Sequence, residues 1–495
     1  MIKVLALKEL LDQLSSPKFV FLFAVSTVLV VFSLYTGSAS YVGARSEFQA
    51  TQRLSRSELE NRRSYDEVSQ YGVKVARQPS ALSGIAGGVS SALGRSARVR
   101  PEVQPELSPA PLADTPVLAV LGELDFNVVA RVFLSLFVLL LTYSAVAGEK
   151  EGGTLKAVLA NPVPRTQFLL GKTLGLFGTL KAAVIVPSVL GLLVMKVGFG
   201  VSLTGGEWVR LAAVGFTTLL YLLAIFAVGL LVSTLTSRSA VAFLVLLLVW
   251  VAFVEVIPKA SPMLAGQIRP APSFASLQSE RDRIQAEFQQ GLFSGMSRAF
   301  AHMSEPVNTP EQDAARQRTM DSTMTRVRDS LGQQRDAKLL RLEEGYRNQQ
   351  DAMTRLSLLF ARLSPAAAMS HAVEVFAGTD FELNRRWRDD LVAYRGQLEQ
   401  YLKSKGVQFG GFRIAIRTTT STTRGGPGSN STIRIGGPTS EDARLDLADL
   451  PAFTSRPESF AAAAGRAAPD LVILGFWAAG ALLLAFAKFL KYDVR

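Results

Sequence analysis

The sequence predicts an all-α integral membrane protein, with six transmembrane helices and a large, mainly helical extracytoplasmic domain between the fifth and the sixth. Three observations lead there. Only 19% of the 495 residues are charged, below the roughly 25% of an average soluble protein. The mean hydropathy is +0.24. The apolar residues gather into six long runs nearly free of Asp, Glu, Lys and Arg. Together these exclude an ordinary soluble enzyme and a disordered chain. With no Cys and only two His, His302 and His371, disulfide frameworks, Cys nucleophiles and Cys/His zinc sites are excluded as well.

Residues 1–18 place Val4, Leu7, Leu11 and Leu14 on one helical stripe, with Lys3, Lys8, Glu9 and Asp12 elsewhere, the pattern of a helix lying in the membrane interface. The first span, 19–44, carries no charge. Ser38-Ala39-Ser40 resembles a signal cleavage site, but Glu9 and Asp12 precede a run longer than a signal core, which predicts a retained span. The outer segment 45–127 reads as a helix over 46–70 followed by a loose, Ser/Gly/Ala/Pro-rich stretch at 79–116. The second span is 128–148. A short loop, 149–172, leads to the third span, 173–195, which is interrupted only by Lys181 and kinked by Pro187. The fourth and fifth spans, 211–233 and 239–257, are parted by Arg238. The sixth is 470–488. A helix of about 20 apolar residues crosses a hydrocarbon core of about 30 Å, and flanking Lys and Arg lengthen the shorter runs by snorkelling. The runs lack the alternation that barrel strands require.

Between the fifth and sixth spans, 258–469 form the sizeable water-soluble region. Helical pattern covers 274–303 and 310–363, and Leu339, Leu342, Tyr346, Met353, Leu356, Phe360 and Leu363 follow three- and four-residue steps, broken by Gln349. This seam reads as a helical hairpin packed on itself or on a second copy, or as a coiled coil for a dedicated partner. A further helix is expected over 382–404. Phe412, Ile414 and Ile416 then alternate with polar residues, ahead of Ile433 and Ile435, either as a hairpin turning around Gly425–Asn430 or as a linker.

Orientation follows from the short loops. Lys3, Lys8 and Lys18, then Lys150, Lys156, Arg165 and Lys172, then Arg238, then Lys488, Lys491 and Arg495 all fall on one side if both termini are cytoplasmic, against Lys196 and Arg210 in the short outer loop. The positive-inside bias therefore puts both ends in the cytoplasm of a cell whose inner membrane the chain crosses. The net charge of +12 is this loop surplus. No basic face with interleaved aromatics marks a nucleic-acid partner.

The loop after the second span holds the chemistry. Glu149 and Glu151 sit just past the membrane exit, Gly152 and Gly153 permit a sharp turn, and Thr154 can cap a short helix. Leu155, Val158 and Leu159 give that helix an apolar face before Asn161-Pro162 stops it. Such a surface helix either packs at the membrane interface or docks into a groove of a soluble partner. With no buried site expected within the short loops, its stripe reads as completing an interface.

The run from Tyr143 to Gly175, YSAVAGEKEGGTLKAVLANPVPRTQFLLGKTLG, resembles the signature of ABC-2 type transporter permeases. In those proteins an acidic-Gly-Gly/Thr-Leu motif follows the second span, and Asn-Pro-x-x-Arg and Gly-Lys lead into the third. The run LSPAAAMSHAVEVFAGTD at 363–380 is similar to a segment of members with a large outer domain, the subset associated with gliding motility and nitrous-oxide reductase maturation. The six-span layout extends the likeness over the whole chain. The resemblance implies a transport subunit with no catalytic residues, which uses ATP hydrolysed by a separate pair of ATPase subunits to export a substrate. In an alternative, the same coupling drives a non-transporting machine whose outer helical domain moves an envelope partner. It also implies a second permease copy or paralogue, a lipid surround, ATP and Mg only in the ATPase, and no cofactor or metal in this chain. Residue by residue, Glu149, Glu151, Gly152, Gly153, Thr154, Leu155, Lys156, Val158 and Leu159 become the element that touches the ATPase. Asn161, Pro162 and Arg165 shape its exit, and Lys172 marks the inner end of the third span.

Gly171-Lys172-Thr173 resembles the end of a phosphate loop, but Thr166 stands where that motif needs Gly, and the triplet enters a membrane helix. Lys181 reads either as an anchor near the inner interface or as a bundle-facing group on a substrate path. His302 and His371 have no metal-ligand neighbours in the sequence.

Overall fold

Each of the six apolar runs becomes a helix long enough to cross a membrane: Pro17–Glu60, Phe126–Glu151, Arg165–Phe199, Gly205–Leu235, Ser239–Ile268 and Phe460–Leu490. The computed structural model describes residues 2–101, 103–109, 124–160, 164–270, 273–301, 310–407, 414–419, 430–435 and 448–491. The helices outrun the charge-free stretches because polar sequence with helical propensity continues them past the membrane. The first span and the expected helix after it are one 44-residue rod, about 66 Å long at the helical rise.

The N-terminal helix Ile2–Leu14 lies along the third span, where Gly171 and Gly175 leave a groove. A Cβ on Gly171 would come within 2.7 Å of Leu5 Cβ, and one on Gly175 within 2.6 Å of Glu9 Cβ. Val4, Leu7 and Leu11 face away from the bundle, 71%, 59% and 56% exposed. That apolar surface suits a helix half-sunk in the interface. Inside the bundle the fourth span packs against the second, fifth and sixth. Its Tyr221 is wholly buried and donates to Arg131 O at 2.9 Å.

Parts of the two outer segments, 45–127 and 258–469, form one extramembrane core. Strands β1 (Val73–Ala76), β2 (Ser96–Arg100) and β3 (Val103–Leu107) make an antiparallel sheet in that order, with Val73 opposite Val99 and Ala97 opposite Leu107. The sheet packs on the helix Phe381–Ser404 through Trp387, Leu391, Tyr394, Leu398 and Leu402, one face of a helix at three- and four-residue steps. The loose stretch expected at 79–116 is therefore ordered wherever it is described. Its small residues permit close backbone approach: a Cβ on Gly37 of the first span would lie 1.8 Å from Gly84 O. Later in the chain, β4 (Ile414–Thr419) and β5 (Asn430–Ile435) pair antiparallel, Ile414 with Ile435 and Thr419 with Asn430. The hairpin alternative thus holds, although its turn lies outside the described residues.

The helices Phe274–Ala301 and Pro310–Ala361 form an antiparallel hairpin. Arg281 pairs with Glu343, Lys338 Nζ lies 2.7 Å from Glu287 Oε2, and the Arg335 guanidinium sits 4.6 Å over the Phe288 ring. The longer helix also runs back along the fifth span, with Met353 beside Gly266 and Ser364 Oγ donating to Phe253 O. Its half-buried seam residues are thus covered within this chain, while Leu363 remains 63% exposed. Counted from the level of Lys259, the hairpin projects about 75 Å beyond the bundle at 1.5 Å per residue.

After the hairpin, Ser364 caps the short helix Pro365–Ala377 by accepting from Ala367 N at 3.1 Å, and Gly378, at φ 71, ends it. Ala366, Ala368, Met369, Ala372, Val373 and Phe376 bury it between the fourth and sixth spans.

Candidate functional site

The loop that follows the second span is a junction of helix ends. The apolar part of that span stops at a turn over 143–146. There Val146 N and Ala147 N each donate to Ser233 Oγ at 3.0 Å, and Ser233 in turn donates to Tyr143 O at 2.9 Å. Lys150 Nζ donates to Thr234 O and, at 3.0 Å, to Thr236 O, satisfying carbonyls that the end of the fourth span leaves open. Glu151 Oε2 accepts from Ser239 N at 2.9 Å and from Ser239 Oγ. A carboxylate in that place caps the fifth span where its dipole is positive.

Glu149 Oε1 accepts from Lys172 Nζ at 2.6 Å, and Glu9 Oε1 lies 3.2 Å from the same ammonium. Lys172 is buried. One lysine of the third span thus clasps the N-terminal helix and the loop together. Arg165 Nη1 donates to Leu490 O at 2.9 Å, which fixes the far end of the loop to the last turn of the sixth span. Side chains of this short segment are bonded to the third, fourth, fifth and sixth spans.

Glu151, Gly152, Gly153, Thr154 and Lys156 are exposed, with Gly153 at φ 71 reversing the chain as only glycine does without strain. The helix Thr154–Leu159 then turns Leu155 inward. Leu155 is 1% exposed and belongs to the main hydrophobic core. This corrects the expectation that the stripe has no buried site in its own chain: Leu155 anchors the loop from within. The side chains of Val158 and Leu159 lie outside the described set, as do Asn161, Pro162 and His302.

Of the other sequence candidates, Gly171-Lys172-Thr173 is helical, with Lys172 held by two carboxylates and Thr173 Oγ1 donating to Leu169 O at 2.7 Å. Lys181 is exposed on the third span, its Nζ 5.0 Å from the Phe177 ring centroid, and does not point into the interior of this chain. His371 has the partner that sequence reading did not supply. Its Nδ1 lies 2.8 Å from Asp470 Oδ2, while Arg362 Nε is 2.8 Å from Oδ1 and its Nη2 3.2 Å from Oδ2. Asp470 is wholly buried. The pairing joins residues 99 and 108 positions apart, beyond the reach of local pattern.

A second polar cluster, sharing the short helix that carries His371, lies at the end of the bundle away from the loop. Asp125 accepts from Val128 N at 2.8 Å and from Gly87 N at 2.9 Å, capping the second span. Glu374 of the short helix reaches Asn127 Nδ2 at 3.5 Å. Burial, with the negative charges of Asp125 and Asp380 adding to it and Arg131 opposing, pushes the Glu374 carboxyl up to about 8. A folded-state value above the unfolded one means that folding favours the protonated acid. Stability contributed by this group is therefore full below about 4.5, falls as the pH rises, and is lost above about 8. Glu374→Gln should melt with the parent at pH 5 and above it at pH 8.5. Equal melting temperatures for the two chains at both pH values would contradict the protonated state.

A family model described as "ABC-2 family transporter protein" matches residues 3–494. Over 46 residues the chain is 52% identical to "Probable ABC transporter permease protein NosY" of Pseudomonas aeruginosa, a stretch covering 9% of this chain and 17% of that relative.

Proposed function

The chain belongs to the ABC-2 family of transporter proteins, and from that membership we propose that it is the permease subunit of an export system driven by a separate pair of ATPase subunits. It is a multi-pass membrane protein. In this reading it sits in the inner membrane with both termini cytoplasmic, paired with a second permease copy or paralogue. The observation that carries the reading is the junction at 147–165. A force applied to the exposed turn Gly152–Lys156 has direct bonds to follow into the third through sixth spans, by way of Glu149, Lys150, Glu151 and Arg165. Closure of the ATPases then shifts the spans between two packings, the differential contact that alternating access requires. Nucleotide and Mg reside in the ATPase.

The roughly 75 Å hairpin favours a second reading, in which the same stroke moves the hairpin against an envelope partner rather than opening a path. Both readings share the junction and the ATPase.

The background for thiol chemistry is clean because the chain has no Cys. Single cysteines at the exposed positions Gln70 and Gln334 should react with an impermeant reagent in intact cells. One at Lys156 should react only in inverted vesicles, and should be shielded there when the ATPase is bound. Labelling of Lys156→Cys in intact cells would overturn the orientation, and equal labelling with and without the ATPase would overturn the contact.

A further inference from the structure

We propose that the sixth span is a connecting rod between the 149–165 loop and the projecting hairpin, with Asp470 as the positioning residue that fixes the hairpin to it. The inference rests on the coupling role proposed for that loop, and extends it to the sixth span and the hairpin.

Both ends of the rod are held by directional contacts. At the loop end, Arg165 Nη1 donates to Leu490 O at 2.9 Å, and the Phe168 ring stacks on Phe489 at 5.9 Å. Leu490 is the last residue of the helix Phe460–Leu490, so whatever displaces Arg165 displaces the end of this helix. Toward the other end, Asp470 holds Arg362 through a two-toothed fork, at 2.8 Å and 3.2 Å. Arg362 follows directly on the 52-residue helix Pro310–Ala361. The same carboxylate takes His371 at 2.8 Å, so the buried short helix is pinned to the same point.

The chemistry suits a joint better than a filler. An apolar contact at this place would bury as much surface but would fix orientation less. A planar guanidinium forked onto a planar carboxylate fixes orientation as well as position. A buried charge pair stabilises little beyond what well-packed apolar residues would give, and its best-attested benefit is geometric specificity. Ser364 adds a stop, donating to Phe253 O on the fifth span. The hairpin is therefore held at its base beside Asp470, and along the fifth span where Met353 lies beside Gly266. A tilt of about 5° there would carry its tip about 6 Å, given the length set by the helical rise.

Spatial continuity is not yet coupling, and the test measures coupling. Spin labels at Gln334→Cys on the hairpin and Lys196→Cys near the end of the third span, both exposed, report the hairpin angle by pulsed dipolar spectroscopy. The sample is the full complex with its ATPase, without nucleotide and with a trapped ATP analogue. The parent should show two distinct distance distributions. In Asp470→Asn, and in the paired apolar replacement Arg362→Met with Asp470→Leu, the ATPase should remain bound and turn over. The hairpin distance should then broaden and lose its dependence on nucleotide. A charge-reversed pair, Arg362→Asp with Asp470→Arg, should recover part of the shift. If Asp470→Asn does not fold, the paired apolar replacement alone decides. A nucleotide-dependent shift in that variant equal to the parent's would overturn the joint. So would a parent whose hairpin stays still while its ATPase turns over. A parent that binds no ATPase would instead overturn the proposed function.

Discussion

Leu155→Asp is expected to prevent this chain from folding, rather than merely to loosen a partner. The side chain is 1% exposed and packed in the main core, with Lys150 and Lys172 already committed to other groups. An unpaired buried ion carries an effective penalty of several kcal/mol, and losing the packed leucine removes about 2–5 kcal/mol more. Against a typical stability of roughly 5–15 kcal/mol, the sum is decisive. The variant should yield little monodisperse protein in detergent, while Leu155→Met, which conserves volume, should behave as the parent within about 1.5 kcal/mol. A Leu155→Asp chain that purifies with the parent's melting temperature but no longer holds the ATPase would return this residue to the partner-facing surface.

Lys172→Ala is the second large effect. It strips the ammonium from between Glu9 and Glu149, whose side chains are only 20% and 25% exposed, and leaves two like charges facing each other. Breaking a buried pair from one side costs about 3–5 kcal/mol, and the partial exposure of these carboxylates places the loss near the low end. The N-terminal helix should detach from the third span, seen as faster hydrogen exchange over 2–14, and the melting temperature should fall. Adding Glu9→Gln and Glu149→Gln should restore much of it, because the repulsion goes with the charges. Nucleotide affinity of the assembled complex should be unchanged throughout. Its loss in an otherwise intact complex would show that Gly171-Lys172-Thr173 does handle phosphate after all.

The six spans were legible because hydrocarbon tolerates few charges, and that constraint writes itself into every run. Their ends were not, since the helix past Ala44 continues on polar residues whose helicity no membrane dictates. The ordered sheet at 73–107 was hidden by composition: glycine and serine usually mark loose chain, but Gly37 and Gly84 are small so that two backbones can touch. In the loop, the residue types Glu149, Glu151, Gly153 and Arg165 could be singled out, and their bonds could not. Each partner, Lys172, Ser239 and Leu490, comes from another span. Asp470 was the hardest, a lone charge at the edge of an apolar run whose meaning lies in Arg362 and His371. Leu155 shows the opposite limit. A helical stripe says which residues share a face, and only the surrounding spans say whether that face looks inward.

Contact between the turn at 152–156 and a separate ATPase can be read from a photo-activatable residue placed at Lys156, with Gln334 as control. A covalent adduct between the Lys156 position and the ATPase chain is expected in intact membranes, and none from Gln334. An ATPase that co-purifies with the chain yet is captured from Gln334, or is never captured from Lys156, would contradict it.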